Sequence, residues 1–134
     1  MTLALSIRQP WASLILLAGK NVENRSWPTY KRGPILIHAA KAMTSREYNE
    51  AMEFACSINH ARMMSLMFHS GALAFDNLPR GGIIGSVNVV DCVRRSTSPW
   101  FQGPNGFVLR DPKPLPFVPL KGQLGFFEVA GVQP

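Results

Sequence analysis

Cysteine and charge are both scarce in this chain. The two cysteines, Cys56 and Cys92, have no paired spacing. They make neither a disulfide framework nor a zinc-binding set, and the expectation is a cytoplasmic domain with reduced thiols. Charged residues are 16% of the 134, below the usual quarter. Long apolar runs are missing too. The longest, Leu14 to Ala18, is far too short to cross a bilayer, so no membrane partner is expected. No basic stretch followed by an apolar segment opens the chain, and no secretory leader is visible. Without repeats, low-complexity stretches or long linkers, residues 1–134 read as one domain. Acids are nearly absent from the first third: residues 1–46 hold seven basic residues and one acid, Glu23.

What is present supports a folded domain. Hydrophobic residues reach 46% and aromatics 10%, enough for a core at this length. The formal net charge is +6. Residues 47–134 balance seven bases with seven acids, so the whole excess sits in the first third. That placement favours an anionic partner.

Thr2 to Ile7 alternates as a first strand. Residues 10–18 read as a short helix, with Pro10 at its first position and Gly19 ending it at positive φ. Asn21 to Trp27 reads as a strand stopped by Pro28, and Pro34 to Ala40 as a strand buried on both faces. Thr44 and Glu47 form a capping box, flanked by a Met43–Tyr48 staple, and open a helix running to about residue 57. A second helical stretch covers 59–69. Gly82 to Val93 reads as a long strand in which Gly85 marks a bulge or a close approach. Phe107 to Arg110 is a short strand. Pro112, Pro114, Pro116 and Pro119 exclude a central strand or helix after it, and Leu124 to Val129 is the last strand. The class is α+β, with a small, partly closed barrel of about five to six strands and two to three helices.

The densest chemical constellation is Gly19-Lys20-Asn21-Val22-Glu23-Asn24-Arg25-Ser26-Trp27. On a strand, Glu23 and Arg25 share a face and Val22 takes the other. Lys20 follows a glycine turn, so the pleat does not fix its direction, and a carboxylate between two cations can stay ionised and orient both. Arg25 suits phosphate or the acceptor edge of a base, and Lys20 suits phosphate or acid–base work. The same spacing also fits an ordinary ion pair on a solvated strand. The second constellation is Ser6-Ile7-Arg8-Gln9-Pro10-Trp11. Arg8 and Gln9 sit just before a helix N-terminus, which attracts anions, and Ser6 and Gln9 can hydrogen-bond to a base edge. Trp11, Trp27 and Trp100 are each either a stacking platform or a core anchor.

Other chemistry is thinly represented. His38 lies in the buried strand and reads as a core histidine. His60 and His69 lack the i, i+4 spacing of a helical metal pair, so no metal is expected. The glycines at 81, 82 and 85 match neither a dinucleotide fingerprint nor a P-loop, and no cofactor is expected. Met63, Met64, Met67 and Phe68 read as helical core or a partner face.

The motif Gly19-Lys20-x-x-Glu23-x-Arg25 resembles the signature of the ASCH domains, relatives of the PUA-like RNA-binding folds. Leu5 to Trp11, Arg32-Gly33-Pro34, His38-Ala39, Gly85, Ser98-Pro99-Trp100 and Gly122-Gln123 are similar to one branch of that family. The resemblance implies a small β-barrel with a cleft lined by the signature residues, and a link to RNA or nucleosides. Some members resemble amidohydrolases acting on acylated cytidine, and RNA cleavage is another activity in the family. In the amidohydrolase branch a threonine follows the lysine by three residues. Here Glu23 occupies that position, which removes the hydroxyl nucleophile. The leading expectation is a pocket that binds single-stranded RNA or a modified nucleoside. Arg8, Lys20 and Arg25 would contact phosphate or base oxygens, Glu23 would orient the cations, Ser6 and Gln9 would read a polar edge, and Trp27 or Trp100 would stack. A hydrolase with Glu23 as base and Lys20 at the oxyanion is the alternative. A protein-interaction module presenting the Met63–Phe68 surface is the third.

Overall fold

The computed structural model describes residues 1–134. Six strands form one mixed sheet in the order β2-β5-β4-β3-β1-β6. The strands are β1 (Thr2–Ile7), β2 (Val22–Arg25), β3 (Gly33–Ala39), β4 (Gly82–Val93), β5 (Asn105–Pro119) and β6 (Phe126–Val129). The helices are α1 (Trp11–Leu17), α2 (Ser45–Ile58) and α3 (His60–Met64), the last widening into a π turn over Ser65–His69. The α+β class is as the sequence predicts. The sheet curls but does not close.

β1 and β3 run parallel, while every other neighbouring pair is antiparallel. Alternate residues of β1 and β3 therefore supply two different cores. Leu5, Ile7, Ile35 and Ile37 face α1, where Ala12 and Ile15 complete the packing. Ala4 and Leu36 face the other way, against Phe127 and Val129 of β6. Each fully buried aliphatic side chain contributes about 1.5–3 kcal/mol, enough to fix register, since a one-residue slip would exchange the faces. α1 lies directly on β4 at Gly85. A Cβ there would meet Leu16 Cδ2 and the Lys113 carbonyl oxygen, each at 2.7 Å, so this glycine marks the close approach that the sequence suggests.

α2 covers a third cluster. Thr44 caps it, its hydroxyl accepting from the Glu47 N–H at 3.1 Å. Met43 and Tyr48 are both buried there, as the staple predicts. Only half of the capping box forms, because the Glu47 carboxylate turns away to Arg8.

The strand at Phe107 to Arg110 runs further than the sequence suggests, while the excluded central strand and helix do not form. β5 continues through Pro112, Pro114 and Pro116 to Pro119, pairing with β4 out to Gly82↔Pro119. β2 covers its other side only from Asn105 to Val108. Beyond that point β5 is an edge strand, and missing N–H donors are tolerated where no strand needs them.

Candidate functional site: an ion-paired wall beside a cationic cleft

β2 carries the signature residues. Val22 enters the core at 1% exposure, which fixes the strand's inner face. Glu23 is held from both sides: Lys20 Nζ donates to Oε1 at 3.0 Å and Arg25 Nε donates to Oε2 at 2.9 Å. Lys20 arrives from the turn at Gly19, where φ is +75°, and its ammonium also donates to the Val22 carbonyl. The Lys20 side chain is 2% exposed and that of Glu23 9%. These charges leave water only because each has a partner. Lys20 also sits over the Trp11 ring, 5.6 Å from its centroid.

Arg25 performs a second task. β6 pairs with β1 only as far as Leu5, which leaves the Ser6 carbonyl beyond the last rung. Arg25 Nη2 donates to it at 2.8 Å. The guanidinium thus bridges β2 and β1 across the open seam of the sheet, with the Trp27 ring 5.9 Å from its centre. Trp27 is half-buried and held edge-on by Phe107 and Phe126.

Two adjoining clefts open at this seam. A hollow of about 330 Å³ is lined by the Glu23–Trp27 segment together with Ser6, Arg8 and Trp11. A larger one, about 780 Å³, shares Ser6 and Arg8 and adds His38, Lys41, Lys121 and the Gly122–Leu124 loop. Backbone bonds assemble the larger cleft from distant segments. The Ala40 N–H donates to Ile7 O, Gly81 N–H to Ala39 O and Leu120 N–H to Gly81 O. The cleft therefore lies beyond the carboxyl ends of the parallel strands β1 and β3. Arg8, Lys41 and Lys121 are exposed in it, and no carboxylate lines it. The Glu47 carboxylate pairs with Arg8 from outside, at 2.7 Å.

Three predicted ligand-binding residues, Lys20, Gln9 and Trp100, line neither of these clefts, and Lys20 instead borders a smaller hollow of about 180 Å³ with Trp11, Glu23, Asn24 and Gln102. Gln9 is fully buried. Its Oε1 accepts from the Ser13 N–H at 3.0 Å, and its Nε2 donates to Ser13 Oγ and Pro79 O, each at 2.8 Å. Pro10, at the helix cap, offers no side-chain acceptor, so Gln9 satisfies an otherwise orphaned amide in the first turn. Trp100 is 4% exposed and packs edge-on against Phe54 in the α2 cluster. Of the three tryptophans, Trp11 and Trp27 line the clefts. The methionine surface also divides, with Met63 at 1% exposure in the core and Phe68 at 74% outside it.

Sequence reasoning assigns no site role to three of the cleft residues: His38, Lys41 and Lys121. His38 is buried as read, yet it forms part of the cleft floor. Gly122-Gln123 is the one legible signal for the far wall.

Residues 5–107 match the ASCH domain family. Activating signal cointegrator 1 of Homo sapiens and its counterpart of the same name in Mus musculus are each 34% identical to this chain over 89 residues. That stretch covers 66% of this chain and 14% of each relative, so the chain spans a small part of the length of the curated relatives it matches. With most of its length matched and its glycine, lysine, glutamate and arginine signature folded into a single ion-paired cluster, the chain belongs to the ASCH-domain family.

Proposed function

We propose that this domain binds single-stranded RNA across the two clefts, with an unpaired base or modified nucleoside in one and the adjoining phosphates in the other. The observation that carries the reading is the larger cleft itself, which has three exposed cations and no lining carboxylate. Its volume of about 780 Å³ lies within the ordinary range for small-ligand sites. Arg8, Lys41 and Lys121 hold phosphate oxygens. Trp27, pinned by two phenylalanines, offers a rigid face for stacking. Ser6 reads a polar edge. Arg25 presents the part of its guanidinium not committed to Glu23 and the Ser6 carbonyl. Lys20 and Glu23 act beneath the ligand, fixing Arg25 and β2, because their own hydrogen bonds are already made.

Three phosphate contacts on a single strand give a log–log salt slope near −2. Fluorescence anisotropy with a labelled unstructured RNA should show affinity falling by roughly tenfold or more between 50 and 200 mM salt. A duplex of the same sequence should bind more weakly, since its bases are not free to stack. Binding that is flat with salt, or equal for duplex and single strand, overturns the reading.

A further inference from the structure

Ser6 on β1 and His38 on β3 are register partners across the parallel pair. They stand on the same face as Ala4 and Leu36, one pleat further along. Ser6 Oγ and His38 Nδ1 are 2.9 Å apart, and His38 Nε2 is 2.6 Å from the Leu120 carbonyl oxygen. A carbonyl oxygen can only accept, so Nε2 carries the ring proton. In the neutral ring Nδ1 is then an acceptor, and the Ser6 hydroxyl donates to it. His38 is 2% exposed and its ring is held edge-on by Phe127, with ring centroids 5.8 Å apart. Its orientation is therefore fixed from both ends. Gly122 lies against the couple: a Cβ there would meet His38 Cε1 at 2.7 Å and Ser6 Oγ at 3.0 Å. The serine lines both clefts.

We propose that Ser6 is a nucleophile activated by His38, forming an acyl-enzyme with esters carried on anionic small molecules. The arrangement has the order of a hydroxyl, a base and an orienting acceptor. Here the acceptor is a backbone carbonyl instead of a carboxylate, and it stabilises the imidazolium less. That favours esters, whose leaving groups depart easily, over amides. Arg8, Lys41 and Lys121 select the anionic carrier. In the first half-reaction Ser6 Oγ bonds to the ester carbonyl carbon and its proton passes to His38 Nδ1. The carbon–oxygen bond to the alcohol breaks, and the alcohol leaves with that proton. In the second half-reaction water attacks the acyl-serine and gives its proton to Nδ1. Ser6 Oγ departs with it, releasing the carboxylic acid.

The test uses the full chain without RNA, so its outcome is separate from that of the RNA titration. The chain is treated with a fluorophosphonate and examined by intact and peptide mass. The expected result is one adduct, on the peptide covering residues 1–8, that is lost in Ser6→Ala and forms at least tenfold more slowly in His38→Gln. Mono-4-nitrophenyl glutarate should be hydrolysed with a kcat/KM at least tenfold above that of 4-nitrophenyl acetate, and both activities should vanish in Ser6→Ala. Because removing a buried imidazole can unfold the chain, Ser6→Cys supplies a second measurement. The thiol it introduces should react with iodoacetamide at least tenfold faster than Cys56 and Cys92 of the same molecule. An adduct-free or wrongly placed fluorophosphonate reaction, or an introduced thiol no faster than the two native ones, overturns the proposal.

Discussion

Two groups of charges lie side by side in this domain and have opposite states. Lys20 and Glu23 are enclosed, and together with the partly exposed Arg25 they are paired with one another and with the backbone. Arg8, Lys41 and Lys121 are exposed around an open hollow, with only Arg8 paired to a carboxylate. The residues most visible as a sequence motif are thus largely committed to one another and to the backbone. The signature builds the wall: it anchors β2, bridges the seam to β1 and orients Trp27. The less conspicuous cations present the field.

The largest expected effect tests the enclosed group. Glu23→Ala leaves the Lys20 ammonium buried beside a second cation without its counter-charge, which should cost about 3–5 kcal/mol. Urea unfolding with far-ultraviolet circular dichroism reads the shift. A loss below about 1 kcal/mol would mean that the cluster is solvated and that the contrast does not exist. The open group should respond in the reverse way. Lys41→Ala with Lys121→Ala should leave the unfolding midpoint nearly unchanged, yet weaken RNA binding about tenfold. The salt slope should become shallower by roughly 0.7 for each lysine removed. A stability loss without an affinity loss would exchange the roles of the two regions.

A smaller effect comes from the α2 side. The Tyr48 phenol is held above its ordinary pKa of 10.0, first by burial and then by the Cys56 thiol. The folded state therefore favours the protonated phenol. Its stabilising contribution is complete below about pH 10 and is lost as pH rises through the folded-state value. Tyr48→Phe removes the 2.6 Å bond to the Leu73 carbonyl, at a cost of about 1 kcal/mol at neutral pH, and should flatten the alkaline fall. Spectrophotometric titration of the two tyrosines checks it, with Tyr30, 96% exposed, as the internal reference. The smallest effect belongs to the exposed pair. Glu47→Ala should cost less than about 1 kcal/mol, yet tighten RNA binding about twofold by freeing Arg8. Weaker binding would show that Glu47 is needed to place the guanidinium.

Much of the fold was legible because local rules dominated it. The Thr44 cap, the Gly19 stop, the inward Val22 and the buried run of β3 follow from backbone conformation and strand period. The prolines rightly excluded a central strand, but the length of β5 was not legible because a strand edge is a property of neighbours: whether a missing N–H matters depends on how far β2 reaches along β5. Gln9 misled for a similar reason. Its amide is polar in any context, but only the packed helix start shows that the orphaned Ser13 N–H and the Pro79 carbonyl claim it. The site divides in the same way. Glu23 and Arg25 could be paired from their spacing of two. Ser6 and His38 could not, since they lie 32 positions apart and meet only through the parallel register of β1 and β3.

By itself the sequence determined the class of elements, the family signature, the basic first third and the shared face of Glu23 and Arg25, because each depends on residues close together along the chain. Tertiary structure alone decided which charges are spent and which are free, which tryptophans line a cleft, and that a serine, a histidine and a carbonyl converge. Those outcomes depend on sheet order and strand register, which bring together segments that no local spacing connects.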